Sequence, residues 1–204
     1  MGLFAVAGVF AMTLLMRPVA AQEVKGTLIT VYDRGAETTF ITQARTLREA
    51  FANQEISVNP KDAVEPSLDE ELVAPEYSVN IYRARPVLVV DGATRQLVIT
   101  PYQSAYRIAD DAGVVLLAED RAYLSRSEDI LSDGASLKLT IDRATPVSLD
   151  FYGAISTVYT QAKTVGEFLV EKGIALNETE RVSRVPSTPI AADMSLRVWR
   201  EGKQ

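Results

Sequence analysis

Apolar positions along this chain follow one scheme of nearly sixty residues, written three times. Each copy opens with apolar residues at alternate positions: Ile29 and Val31, Val87 and Val89, Val147 and Leu149. A period of two predicts a strand with one buried face. Arg34-Gly35, Asp91-Gly92 and Tyr152-Gly153 then mark tight turns, because glycine adopts the positive φ that two-residue hairpins need. A second strand ends at Thr42, Thr100 or Thr160.

A short helix is expected next. Leu47, Ala50 and Phe51 share one helical face, as do Ala105, Ile108, Ala109 and Ala112, and again Val165, Phe168 and Leu169. Thr46 with Glu49, and Thr164 with Glu167, have capping-box form, in which the Glu reaches back to the cap residue. Ser104 is the cap of the second copy, without the acid. Gly113 and Gly173 stand where a left-handed C-terminal cap belongs, and Glu55 holds that place in the first copy, predicting a weaker helix end.

With the three threonines aligned, 58 and 60 residues apart, further columns fall into register. They are Phe40, Val98 and Val158; Ile56, Val114 and Ile174; Val58, Leu116 and Leu176; Asp62, Asp120 and Glu180; and Leu72, Ile130 and Ile190. Arg83-Ala84-Arg85-Pro86-Val87 recurs as Arg143-Ala144-Thr145-Pro146-Val147, with Arg200 as the third counterpart of the leading arginine. Two extra residues in the second copy are placed between Leu139 and Arg143. A short strand over Ile56–Val58, a turn through Asn59-Pro60-Lys61-Asp62 and a loop to Leu72 follow the first helix. Asp133-Gly134 reads as a turn, and closing strands are expected at Val79–Ile81, Leu137–Leu139 and Leu196–Val198.

Hairpin, helix, further strands: one helix over a small mixed sheet is an α+β, ubiquitin-like (β-grasp) arrangement. The expected domains are 24–83, 84–143 and 144–200. Ahead of them, Gly2 to Met16 is an uncharged apolar run, followed by Arg17-Pro18 and the small residues Val19-Ala20-Ala21. As a helix it would reach about 22 Å against a hydrocarbon core of roughly 30 Å. Residues 1–21 therefore read as a signal peptide, with a tight membrane anchor as the alternative. No basic residue precedes the run, so the chain is expected to start further upstream.

Composition narrows the chemistry. Net charge is −6, and no Lys/Arg cluster suited to nucleic acid is present. The absence of cysteine and histidine excludes disulfides, thiol nucleophiles, histidine bases and nearly every zinc site. Carboxylates remain. Asp69-Glu70-Glu71 reads as a solvated loop and Asp110-Asp111 as an exposed helix end without the ladder of a calcium loop. Asp62, Asp120 and Glu180 read as turn-forming, and a unit with one helix leaves little room for the two opposed carboxylates of a glycosidase. Asn177-Glu178-Thr179 matches a glycosylation acceptor in form only. Eight tyrosines and Trp199 could stack on sugars if they cluster on the surface.

The Asp91-Gly92 turn, the run Thr160 to Leu169, Gly173-Ile174-Ala175-Leu176, and Glu180-Arg181-Val182-Ser183 with Pro189-Ile190 resemble one known family. It is the tandem ubiquitin-like domain of unknown function found in resuscitation-promoting factors and related exported cell-wall proteins. The resemblance spans roughly 24–200; the second copy departs from it at Ser104-Ala105-Tyr106-Arg107. It implies an extracytoplasmic, wall-associated array, with peptidoglycan or an envelope protein as partner. The expectation is a non-catalytic spacer or binding array, with no catalytic, cofactor-binding or metal-ligating residue. The alternatives are the front part of a longer peptidoglycan-cleaving enzyme, continuing past Gln204, and a protein-recognition module.

Overall fold

A computed structural model of the chain describes residues 25–202. The signal-peptide or anchor segment, 1–21, lies outside the described residues. Among the described residues no helix is long and apolar enough to cross a membrane.

The first module holds β1 (Thr27–Asp33), β2 (Ala36–Thr42), α1 (Leu47–Asn53), β3 (Ala63–Glu65) and β4 (Glu76–Tyr82). The second holds β5 (Arg85–Asp91), β6 (Thr94–Thr100), α2 (Ala105–Asp111), β7 (Arg121–Arg126), α3 (Ile130–Asp133) and β8 (Leu137–Asp142). The third holds β9 (Thr145–Phe151), β10 (Ala154–Thr160), α4 (Val165–Glu171), β11 (Glu180–Val182) and β12 (Met194–Arg200). The chain is α+β, built from three mixed four-stranded sheets. The first sheet runs β2-β1-β4-β3, and the other two repeat that order. In each, the hairpin and the outer pair are antiparallel while the two central strands are parallel. No sheet continues into another.

Burial follows the strand alternation. Ile29, Val31, Val79 and Ile81 meet Leu47 and Phe51 of α1 in one core. Val87, Val89, Leu139 and Ile141 meet Ile108 and Ala109 of α2 in a second. Val147, Leu149, Leu196 and Val198 meet Val165, Phe168 and Leu169 of α4 in a third. All three expected helix faces point inward.

Turn chemistry agrees with the sequence, with one refinement. Arg34 and Gly35, and Tyr152 and Gly153, all have positive φ, as a type I′ turn requires. In the second hairpin the glycine comes first, at Gly92, and Ala93 has ordinary φ, the pattern of a type II′ turn. Every long helix ends left-handed: Gly113 has φ 73°, Gly173 has φ 66°, and Glu55 has φ 56° without being glycine. The Ile56, Val114 and Ile174 N–H groups reach back to Phe51, Ala109 and Leu169 carbonyls, closing a Schellman motif each time.

Several expectations are corrected. Residues Ile56–Val58 form no strand; Ile56 is still held by the Schellman bond at the helix end, and the strand comes later, as β3. The edge strands β3, β7 and β11 are too short and too mixed in polarity to show a clean period. Asp133-Gly134 is the end of α3, with Gly134 at φ 65°, rather than a plain turn. Ile130, aligned with the half-buried Leu72 and Ile190, starts α3 and is 57% exposed. The two extra residues are not between Leu139 and Arg143. Val31 pairs with Val79, and Val89 with Leu139, so the shift of 60 already holds throughout β8. Asp62 and Asp120 still differ by 58, so the insertion falls between β7 and β8, where α3 takes it up. A central strand paired on both sides cannot absorb two extra residues without breaking its hydrogen-bond register; a loop can. The capping acids also reach further than expected: Glu49 accepts from Arg45 N–H at 3.0 Å and Glu167 from Lys163 N–H at 2.7 Å, one residue before the cap.

Candidate functional site

The most developed polar constellation is an arginine node at the end of each module. Arg83 closes β4 and lies over the end of β1. Its Nε and Nη2 donate to the two oxygens of Asp33 at 3.0 and 2.7 Å. Its Nη1 donates to Asp62 Oδ2 at 2.7 Å and to the Ser57 carbonyl at 2.9 Å. Asp62 also accepts from Asn59 N–H and, across the junction, from Ala84 N–H at 2.8 Å. The second module repeats this bond for bond, with Arg143, Asp91, Asp120, the Val115 carbonyl, Leu117 N–H and Ala144 N–H in the same roles.

The third node is thinner. Phe151 stands where Asp33 and Asp91 stand in the other two, so Arg200 keeps one acid, Glu180, at 3.2 Å. Glu180 still accepts from Asn177 N–H at 3.0 Å.

Electrostatics follow the geometry. Burial pushes the Asp62 carboxyl up, but the Ala84 and Asn59 N–H groups and the Arg83 guanidinium outweigh it and hold it at about 2. Asp120 is lowered by the same contest, with Ala144, Leu117 and Arg143 against burial. Arg83 is raised above its ordinary value, first by Asp33 and then by Asp62 against burial. Glu180 is lowered by the Tyr152 hydroxyl first, then by Asn177 N–H and Arg200. These carboxylates are held in the ionised form and paired, which fastens the end of each module. In the first module Arg83 is 15% exposed and the Asp62 carboxylate 2%. Such a pair is costly to break from one side, because the remaining charge is left buried.

The turn-forming reading of Asp62, Asp120 and Glu180 is therefore correct and incomplete. Asp33 and the pairing role of Asp91 went unread. The available signal was charge in register: an acid at 33 and 91, an acid at 62 and 120, and an arginine at 83 and 143. Asp69 is an exposed partner of Arg48 at 2.7 Å, Glu70 and Glu71 are exposed beside it, and Asp110 and Asp111 are exposed. Asn177 spends its side-chain oxygen on Thr179 N–H and Oγ1, shaping its own turn. Among the described residues no group of three acids is placed to hold a metal ion.

The tyrosines divide. Tyr77 has a structural part: its hydroxyl accepts from Val73 and Ala74 N–H and donates to the Glu71 carbonyl. Tyr32, Tyr82 and Tyr102 instead line open grooves at the junction of the first two modules. One groove, of about 580 Å³, also takes in Arg34 and Arg85; the other, of about 590 Å³, takes in Glu65 and Arg107. Tyr82 and Gln103 border both, so the two adjoin. The second junction is tied shut in one further way: Gln161 Nε2 donates to the Glu119 and Asp142 carbonyls, both at 3.0 Å. Pro101 holds that position in the first junction and has no amide to give.

No curated protein matches this chain. The family model for the G5-linked ubiquitin-like domain matches residues 29–69, the first hairpin and helix with β3, and residues 147–183, their counterparts in the third module. Two regions of this chain are thus similar to the G5-linked ubiquitin-like domain, consistent with a tandem arrangement of such domains.

Proposed function

We propose that this chain is a non-catalytic spacer and binding array that acts outside the cytoplasm, in association with the bacterial cell wall, with peptidoglycan or an envelope protein as its partner. The observation that carries the spacer reading is the pair of complete arginine nodes. Each fastens the last strand of a module to its first hairpin, and the same acid then grips the first N–H of the connection to the next module, Ala84 or Ala144. The connection has only Arg83-Ala84 or Arg143-Ala144 between strands, and proline follows at Pro86 or Pro146. Short, hydrogen-bonded, proline-stiffened connections transmit orientation from one module to the next. The wall association rests on the resemblance to exported wall proteins and on the apolar run of residues 2–16. The non-catalytic reading draws support from the acids of the nodes, which are ion-paired and held ionised.

Small-angle scattering from the full chain tests the spacer. An elongated particle that keeps its length between low and high salt is expected. A radius of gyration near that of a compact domain of this length would overturn it. Co-sedimentation with purified cell-wall sacculi tests the association: retention in the pellet is expected, and full recovery in the supernatant would refute it.

A further inference from the structure

The two junctions share their clamps but not their surfaces. At the first, Tyr32, Arg34, Tyr82, Arg85, Tyr102 and Arg107 line two adjoining hollows of one groove region, beside the ion-paired Arg83 and a single acid, Glu65. The repeat supplies an internal control. The same six positions of the second junction, in order, hold Val90, Gly92, Asp142, Thr145, Ala162 and Glu167. None is aromatic and none is basic, yet that junction builds the same sheets and the same node. The fold therefore does not require the six residues of the first groove.

Arg107 sharpens the point. Its counterparts, Glu49 and Glu167, are the acids of the capping boxes, well placed in the first turn of a helix. An arginine there gives up the second capping bond and puts a cation at the positive end of the helix, which local stability disfavours. Its guanidinium lies over the Tyr102 ring, 4.5 Å from the centroid, and both residues line the groove. Arg34, Arg85 and Arg107 form no ion pair within the described residues, although the chain carries a net charge of −6. Guanidiniums without an ion pair, beside the exposed Tyr32 and the half-buried Tyr82 and Tyr102, suit a ligand with carboxylate groups and flat C–H faces. The groove is also large enough for such a ligand and is open along its length.

We infer that the groove at the first junction binds an acidic saccharide chain, with Tyr32, Tyr82 and Tyr102 stacking on sugar rings and Arg34, Arg85 and Arg107 pairing with its carboxylates. An acidic peptide fits less well. The strand edge bordering the groove, β3, has three residues and ends at Pro66, too short to hold a peptide by strand addition. Nucleic acid fits less well because no run of Lys and Arg continues from the groove to follow a phosphate backbone. The inference does not depend on the spacer reading: a globular arrangement could still carry this groove, and a rigid spacer could lack a ligand.

Titration calorimetry of the full chain tests it, with tetragalacturonate as the probe. The comparison ligands are its carboxyl-reduced neutral counterpart, a glutamate oligomer and an oligothymidylate. Saturable binding of tetragalacturonate is expected, weakened at least tenfold for the neutral form. Arg107→Glu installs the residue that α1 and α4 already carry, so the helix is kept, and binding is expected to fall at least tenfold. Arg85→Thr and Tyr102→Ala, which copy the second junction, are expected to weaken binding similarly. Thr145→Ala, at the second junction, is expected to leave it unchanged. Melting curves of each variant report folding separately. Should Tyr102→Ala unfold, because its ring also packs on the second core, Arg107→Glu and Arg85→Thr still decide. No heat with tetragalacturonate at millimolar concentration would overturn the inference. So would equal affinity for the neutral form, tighter binding of the glutamate oligomer or oligothymidylate, or indifference to both arginine substitutions.

Discussion

The first and third modules meet the same two demands in opposite ways. The first has a complete arginine node, with Asp33 and Asp62 both on Arg83, but ends its helix on a glutamate forced to φ 56°. The third ends its helix on Gly173, at no steric cost, but its node has lost one acid to Phe151 and leaves Arg200 47% exposed. The strand order and register are nonetheless the same in both. The sheet and its apolar core are therefore what the repeat must keep, while node and helix cap are adjustable stabilisers laid over it.

The node offers the sharpest way to break that comparison. Arg83→Ala leaves Asp62 buried without its cation, and about 3 kcal/mol of the first module's stability should be lost. Native-state hydrogen exchange of the β4 amides checks this. Acid is the next test. Asp62 is held at about 2 against an ordinary 3.8, so its charged form is favoured by folding. That stabilisation is complete above about pH 5 and drains as pH falls toward 2, amounting to about 2 kcal/mol. Asp120 moves in the same direction in the second module. Chemical denaturation at pH 5 and pH 2.5 should show the loss, and Asp62→Asn should show much less of it.

A smaller effect of opposite sign sharpens the contrast. Glu55→Gly relieves the left-handed strain and should stabilise the first module by about 1 kcal/mol. The matching change in the third module, Gly173→Glu, should cost a similar amount, both read from denaturant midpoints. Smallest of all, Arg200→Ala should cost far less than Arg83→Ala, since Arg200 is 47% exposed and Glu180 keeps the Asn177 N–H and the Tyr152 hydroxyl as partners. A loss as large as that of Arg83→Ala would mean that the third node is not the weaker one.

What could be read from the chain divides along physical lines. Val31, Val89 and Leu149, or Phe51 and Phe168, were legible as core because burial imposes a local period. The Gly113 and Gly173 caps were legible because a backbone conformation demands a residue type. The partnership of Arg83 with Asp33 was not, because the two are 50 residues apart and meet only once β1 and β4 pair in parallel. The groove tyrosines were hidden for the same reason: Tyr32, Tyr82 and Tyr102 come together only at a junction. The insertion in the second copy was misplaced because apolar columns at 58 and at 60 residues look alike until hydrogen bonds decide which strand pairs with which.

Hydrogen exchange on the full chain carrying Phe168→Ala gives the most direct test of three separate cores. The ring is fully buried in the third core, and its loss should cost about 3–5 kcal/mol there. Protection should collapse across β9, β10 and β12 while the amides of β1, β4, β5 and β8 keep their wild-type rates. A loss of protection shared evenly by all three sheets would show one cooperative body and contradict the account.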